Sequence, residues 1–281
     1  MKDIEKIISR IDKLKPVSRV ANKILEFIED SEGSASDLSE IIIYDQAVTA
    51  NLLKICNSAY YGLSRQVDSV QRAVVFLGIN KVVDIVIMAG CAENLRTSQK
   101  GYDLCEGELW KNSVSSALMA RDLAEKKKLT NVHMIFTAAL LKDIGKLVLS
   151  QYVADSFERI NRLVTDQGYS FKEAEQEVIG IDHAQLGAMV LEKWKFSQKM
   201  VDIVRNHHLS EELLTPDSET GLVYLADTLC MMMGIGVGSD GLAYRFHQKV
   251  IEDLCFSEKD LHAIISGFGD KLRQIEDLVG F

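Results

Sequence analysis

The chain has 281 residues, 47% of them hydrophobic and 26% charged, with a net charge of −9 and two prolines. A chain of this length buries about three quarters of its unfolded surface, enough for one large or two ordinary domains. The acidic balance excludes loose attraction to nucleic acid, which needs lysine and arginine to displace counterions, and no run approaches the ~18 apolar residues of a membrane span.

The elements read as helices in chain order. Apolar residues at Val17, Val20, Ala21, Ile24, Leu25, Phe27 and Ile28 predict an amphipathic helix over 17–30. Gly33 and Ser34 mark a break. Ser36 is the expected N-cap of the next helix, with Asp37 and Glu40 in its first turn, and Asp45 the cap of the one after. A helix over 69–77 should stop at Gly78, with Asn80 opening a segment whose residues Val82 to Met88 are apolar on nearly every face and therefore buried. The polar stretch 96–107 is the expected boundary between two helical halves, 1–96 and 97–281. Beyond it the pattern predicts long helices over 108–128 and 132–152. Ser170-x-x-Glu173 and Ser257-x-x-Asp260 are capping boxes, and shorter helices are expected over 182–195, 197–208 and 218–233. Few prolines and no alternating run give an all-α fold.

Five cysteines, Cys56, Cys91, Cys105, Cys230 and Cys255, occur without a Cys-x-x-Cys pair. They read as reduced core thiols of a cytosolic protein. The charged opening Met1-Lys2-Asp3-Ile4-Glu5 has no apolar signal segment, so a cytoplasmic location is expected.

The residues able to carry chemistry are few. Of the six histidines, His133, His247 and His262 read as surface or hydrogen-bonded side chains. His207 and His208 end an apolar helix, where successive positions point about 100° apart and are not expected to chelate one ion. Asp182-His183 opens the preceding helix. Asp227 sits in an apolar stretch, and carboxylates in such surroundings are buried only when paired. Asp143, His183, His207 or His208, and Asp227 therefore form either a polar cluster inside a helical bundle or four independent surface residues.

Several runs together carry a family resemblance. In the first half they are Leu14-Lys15-Pro16-Val17, Asn57-Ser58-Ala59-Tyr60-Tyr61-Gly62 and Ser69-Val70-x-Arg72-Ala73. In the second they are Trp110-x-Asn112-Ser113, Leu141-Lys142-Asp143-Ile144-Gly145, His183-x-x-Leu186-Gly187, His207-His208 and Ala226-Asp227. Residues 14–227 resemble an HDOD domain, a bacterial regulatory branch of the HD metal-dependent phosphohydrolase superfamily. The resemblance implies an N-terminal helical subdomain packed on an HD-like helical bundle.

It also implies histidines where Asn112 and Lys142 stand, completing a metal site with Asp143 and Asp227. A lysine ammonium has donors and no acceptor. Losing two nitrogen ligands should cost at least ~10² to 10⁴ in metal affinity, and without the metal no hydroxide forms at neutral pH. The resemblance therefore implies a vestigial pocket of Asn112, Lys142, Asp143, His183, His207, His208 and Asp227, with no catalytic residue and no cofactor. Lys142 is expected either to pair with Asp143 or Asp227 or to extend to solvent at the pocket rim.

The function implied is a signalling or regulatory interaction module acting on signalling proteins in trans, with neither nucleic acid nor membrane as partner. Asn57, Tyr60 and Tyr61 are its recognition candidates, with internal packing as their alternative role. Two other readings stay open. One is a reduced metal site of Asp143, His183, His207, His208 and Asp227 holding manganese, iron or zinc and hydrolysing nucleotides or phosphodiesters. The other is a pocket that binds a nucleotide or another anionic small molecule without turning it over.

Overall fold

A computed structural model describes residues 2–14, 19–29, 34–57, 66–209, 216–243 and 247–279. In chain order the helices are α1 (Lys2–Ser9), α2 (Arg19–Glu29), α3 (Ala35–Ile43), α4 (Gln46–Cys56), α5 (Val70–Leu77), α6 (Ile79–Leu95), α7 (Glu108–Lys126), α8 (Val132–Leu141), α9 (Lys146–Gln167), α10 (Phe171–Ile179), α11 (His183–Lys193), α12 (Gln198–Asn206), α13 (Ser218–Met232), α14 (Gln248–Asp253) and α15 (Glu258–Val279). The fold is all-α. Among the described residues extended pairing is limited to one bridge between Gln99 and Leu104. The chain divides into two units, Met1–Lys15 with Asn94–Phe268, and Pro16–Glu93 with Gly269–Phe281.

Within the unit that contains α2 to α6, capping residues set the helix starts. α3 is capped by Ser34, not Ser36. The Ser34 hydroxyl accepts from Asp37 N at 3.3 Å, and the Asp37 carboxylate accepts from Ser34 N at 2.9 Å. Ser34 has the extended backbone a cap needs, and it lies three residues before the acidic partner, whereas Ser36 stands beside it. Asp45 caps α4 through Val48 N at 3.0 Å. α5 follows Ser69 and ends at Gly78, whose φ of 78° suits a glycine. α6 starts at Ile79, one residue ahead of Asn80, and buries Val82, Val83, Ile85, Val86, Ile87 and Met88 together with Asp84.

In the larger unit α7 packs on α8 and α13, and α11 packs on α12. α13 buries every residue from Thr220 to Cys230, which places Asp227 in the interior. The single helix expected over 132–152 is instead two helices, broken at residues 142–145. The break is a tightening to i→i+3 bonds, Ile144 N to the Leu141 carbonyl at 3.0 Å and Lys146 N to the Asp143 carbonyl at 2.9 Å, and at its end a Cβ on Gly145 would overlap the His183 carbonyl oxygen and approach Gly187 N at 2.6 Å. The turn thus lies directly against the start of α11, and only a glycine lets the two backbones meet. α9 then runs on to Gln167 and stops at Gly168 (φ 69°).

All five cysteines are free. Cys56, Cys91 and Cys230 are buried, whereas Cys105 and Cys255 are exposed and are not core thiols. Both lie outside regular helix, Cys105 ahead of α7 and Cys255 between α14 and α15. No helix among the described residues is long and apolar enough to cross a membrane.

Candidate functional site

The break between α8 and α9 turns two consecutive polar side chains inward. Lys142 is fully buried and Asp143 is 2% exposed. The Lys142 ammonium donates to Asn112 Oδ1 at 2.7 Å and to Asp143 Oδ2, and pairs with Asp227 Oδ1 at 2.9 Å. Its stem does not reach the pocket rim. Asn112 in turn donates to the Ile235 carbonyl at 3.0 Å. One turn on, the Lys146 ammonium reaches Asp143 Oδ1 at 2.9 Å and Asp240 Oδ2 at 2.6 Å. A buried charge persists when it is paired and hydrogen-bonded, and here two ammonium groups share three aspartates.

The pKa directions follow from that pairing. Burial opposes the Lys142 charge, but Asp143 and Asp227 outweigh it and hold the ammonium above the ordinary lysine value. Burial likewise opposes the Asp143 charge, yet Lys142 and Lys146 hold its carboxyl well below the usual range.

Three histidines close the other side of Asp143. His183 opens α11 behind its N-cap Asp182. Its Nδ1 lies 2.6 Å from Glu175 Oε2, its Nε2 lies 2.7 Å from His208 Nε2, and Asp143 Oδ1 is 3.7 Å away. Two lone pairs at 2.7 Å repel, so a proton lies between His183 and His208 unless a cation replaces it. His207 Nδ1 donates to the Val204 carbonyl at 2.7 Å, and its Nε2 stands 3.9 Å from Asp143 Oδ1. Burial opposes protonation of His183, but Glu175 raises its pKa overall. Burial pushes His207 down to about 3, and burial with His207 and His183 as neighbours holds His208 well below the usual value.

His207 and His208 converge, contrary to the helical expectation. α12 ends at Asn206, His207 is its C-cap, and Leu209 takes a left-handed φ of 55°. Although His207 keeps right-handed helical dihedrals, the two rings lie 4.0 Å apart at their centroids. One donor atom from each of Asp143, His183, His207 and His208 lies within 4.8 Å of the others.

The seven pocket residues anticipated from sequence thus surround one small interior region. A cavity of about 10 Å³ lies among Asn112, Asp143, Lys146, His208, Asp227 and Asp240, space for about one water molecule. Asn57 lies elsewhere, as the C-cap of α4. Its amide donates to the Leu53 and Val67 carbonyls, both at 2.8 Å, and accepts from Val67 N at 2.7 Å. Tyr60 and Tyr61 lie outside the described residues.

Sequence reasoning missed Lys146, Glu175, Tyr102 and Asp240. Glu175 is fully buried, holds His183, and accepts from Tyr102 Oη at 2.5 Å. Its only sequence signal is a carboxylate one residue after Ala174 on the apolar side of α10. Asp240 is visible only through Lys146.

With this geometry in view, the sequence matches the HDOD domain over residues 14–210. The chain belongs to the HDOD family. The resemblance drawn from the sequence sets the Lys142-Asp143 turn where HD phosphohydrolases are expected to carry His-Asp. The HDOD chain shares its fold with an HDOD domain protein of unknown function from Geobacter sulfurreducens, with a TM-score of 0.75 at 20% identity over 98% of both chains. A candidate signal transduction protein from Marinobacter aquaeolei VT8 gives 0.73 at 20% identity, covering 99% of this chain and 63% of that one. An uncharacterized protein of Treponema pallidum (strain Nichols) is 21% identical over 204 residues, which span 70% of this chain but only 38% of that protein.

At the position framed by Asn112, Lys142, Asp143 and Asp227 the residues do not fit the metal ion of HD hydrolases, because an ammonium donating to three of their oxygens already supplies the cation.

Proposed function

We propose that this HDOD chain is a signalling or regulatory interaction module whose HD pocket holds the fold together and does not hydrolyse a substrate. The observation that carries the reading is the Lys142 ammonium, wholly buried between Asn112, Asp143 and Asp227. Hydrolysis in an HD pocket needs a metal that brings bound water from a pKa of 15.7 to about 7. An ammonium balances the aspartates but offers water no coordination site.

The cavity size supports the same reading. About 10 Å³ is far below the ~300–1,000 Å³ of small-molecule pockets, which argues against a nucleotide sensor at this position. The likeness to a candidate signal transduction protein accords with partners that are signalling proteins supplied in trans, in a bacterial cytoplasm.

The test is hydrolysis of a phosphodiester and nucleotide panel by protein as purified and after loading with manganese, iron or zinc. The expected rate equals that of Asp143→Asn under every loading. Metal-dependent turnover that Asp143→Asn abolishes would overturn the proposal.

A further inference from the structure

We propose that residues 233–241, which follow the end of α13, form a hinged strap that covers the Lys142 and Lys146 charge cluster and opens as a unit when Asp240 releases Lys146. The inference goes beyond the reading above and stands whether or not the pocket hydrolyses a substrate.

Its first support is the way the segment is seated. Four of its nine residues are glycines, and two of these are required by close approach. A Cβ on Gly236 would overlap the Glu108 carbonyl oxygen and stand 3.1 Å from Asn112 N, and one on Gly238 would overlap the Tyr102 carbonyl oxygen. The strap therefore lies flush on main chain at the start of α7 and at Tyr102. There it closes the side of the pocket where Gly236 and Asp240 line the small cavity.

The second support is how few bonds hold it in place. Among the described residues, two side chains from elsewhere in the chain hydrogen-bond to the strap. Asn112 Nδ2 donates to the Ile235 carbonyl at 3.0 Å, next to the turn at Gly234, and Lys146 Nζ donates to Asp240 Oδ2 at 2.6 Å. Main-chain bonds at the two ends stay local, from Gly234 N to the Met231 carbonyl and from Gly241 N to the Gly238 carbonyl. The Lys146–Asp240 pair is thus the latch of the outer half. A segment with so few bonds opens at a lower free energy than the helices it covers.

The closed strap also carries costs of its own. Ser239 Oγ is buried without a hydrogen-bond partner, and it regains water when the segment lifts. The glycines give up more backbone freedom on closure than other residues would. Gly234 supplies the hinge: its φ is 72°, and nothing stands within 4 Å of where its Cβ would be. When the strap lifts, Lys146 loses Asp240 and faces water. Lys142 stays where it is, because its partners Asn112, Asp143 and Asp227 all lie outside the strap. The device therefore links the buried charges to a surface segment that begins beside Met232, which is 70% exposed.

The experiment is labelling of full-length Ser239→Cys with iodoacetamide at pH 7, followed site by site by mass spectrometry. Native Cys230, buried in α13, reports wider unfolding, and exposed Cys105 reports the rate of an unprotected thiol. Position 239 should label at least ~10-fold faster than Cys230 and at least ~10-fold slower than Cys105. Adding Asp240→Asn should accelerate position 239 by about 10-fold or more, the weight of a charge-assisted hydrogen bond, and leave Cys230 unchanged. Gly238→Ala, which cannot seat against Tyr102 although its latch is intact, should do the same, with helicity checked by circular dichroism. If Ser239→Cys does not fold, amine labelling of the unaltered protein takes its place, and Lys146 should react at least ~10-fold faster than Lys142. Labelling at position 239 as slow as Cys230 or as fast as Cys105 overturns the strap. So does Asp240→Asn that accelerates Cys230 equally, or, in the amine experiment, equal rates at Lys146 and Lys142.

Discussion

Removing the Lys142 ammonium leaves Asp143 and Asp227 buried without their shared partner, and breaking a buried pair in this way costs about 3–5 kcal/mol. Lys142→Met should lose that much in urea melts at neutral pH. The pH dependence has a definite sign. Asp143 is depressed in the fold, so its contribution is present above the unfolded carboxylate value of about 3.9 and is lost as pH falls through the folded value. Lys142 is raised, so its contribution is present below about 10.4 and is lost as pH rises through its folded value. The deficit of Lys142→Met should be steady between about pH 6 and 9 and narrow in acid, where the variant's carboxylates take up protons. A deficit below about 1 kcal/mol at pH 7 would place the pair among weak surface bridges. Asn57 carries a second prediction at this scale. Its amide makes three bonds to backbone, two of them to Val67, so Asn57→Ala should cost about 1–3 kcal/mol. Full stability in that variant with loss of a partner would assign Asn57 to recognition instead.

Helix ends decide how the pocket is built, and they show where sequence reading works. Asp45 and Ser170 could be read as caps because each stands at a polar-to-apolar change with its partner three residues on, whereas Ser69 and Asp182, expected only as the first residues of their helices, prove to be N-caps. Ser34 was overshadowed by Ser36 because two serines share the segment and only backbone geometry separates them. Ser34→Ala should cost about 1 kcal/mol in melts, and Ser36→Ala within about 0.5 kcal/mol; equal losses would contradict the observed capping box. The break between α8 and α9 was hidden for a different reason: apolar periodicity runs through it, and the backbone contact that requires a glycine at its end is with the distant His183 carbonyl. Gly145→Ala should therefore destabilise by about 1–3 kcal/mol or more and displace His183, seen as a shifted imidazole resonance. An unperturbed variant would mean that the turn and α11 are not in backbone contact. The convergence of His207 and His208 was hidden as well, because the spacing of successive helical positions does not show where two rings meet.

Across the whole molecule, the all-helical class was legible from composition and periodicity, and the HDOD membership from short runs spread over both halves. What the sequence could not supply was the partner list of each buried charge. Lys142 and Asp143 are adjacent and visible, whereas Glu175, Asp240 and Tyr102 reach the cluster only through folding, from segments with no motif of their own. Burial also sorts the thiols. Cys56, Cys91 and Cys230 are raised by burial to about 11, 12 and 12, so only exposed Cys105 and Cys255 should react quickly with a thiol reagent at neutral pH. Mass spectrometry after brief labelling should find two modified sites, and rapid labelling of Cys230 would contradict the packing of α13.

The central claim is that Lys142 supplies the cation of the HD pocket, and the most direct measurement is a ¹H–¹⁵N spectrum of the lysine ammonium groups. Surface lysine ammonium protons exchange with water too fast to persist near neutral pH, whereas a buried, triply engaged ammonium is shielded. The account predicts a protected ammonium signal at pH 7 that is absent from Lys142→Met and survives the addition of one equivalent of zinc. Absence of a protected signal assignable to Lys142, or its displacement by the metal, would contradict the account and return the pocket to a metal-dependent chemistry.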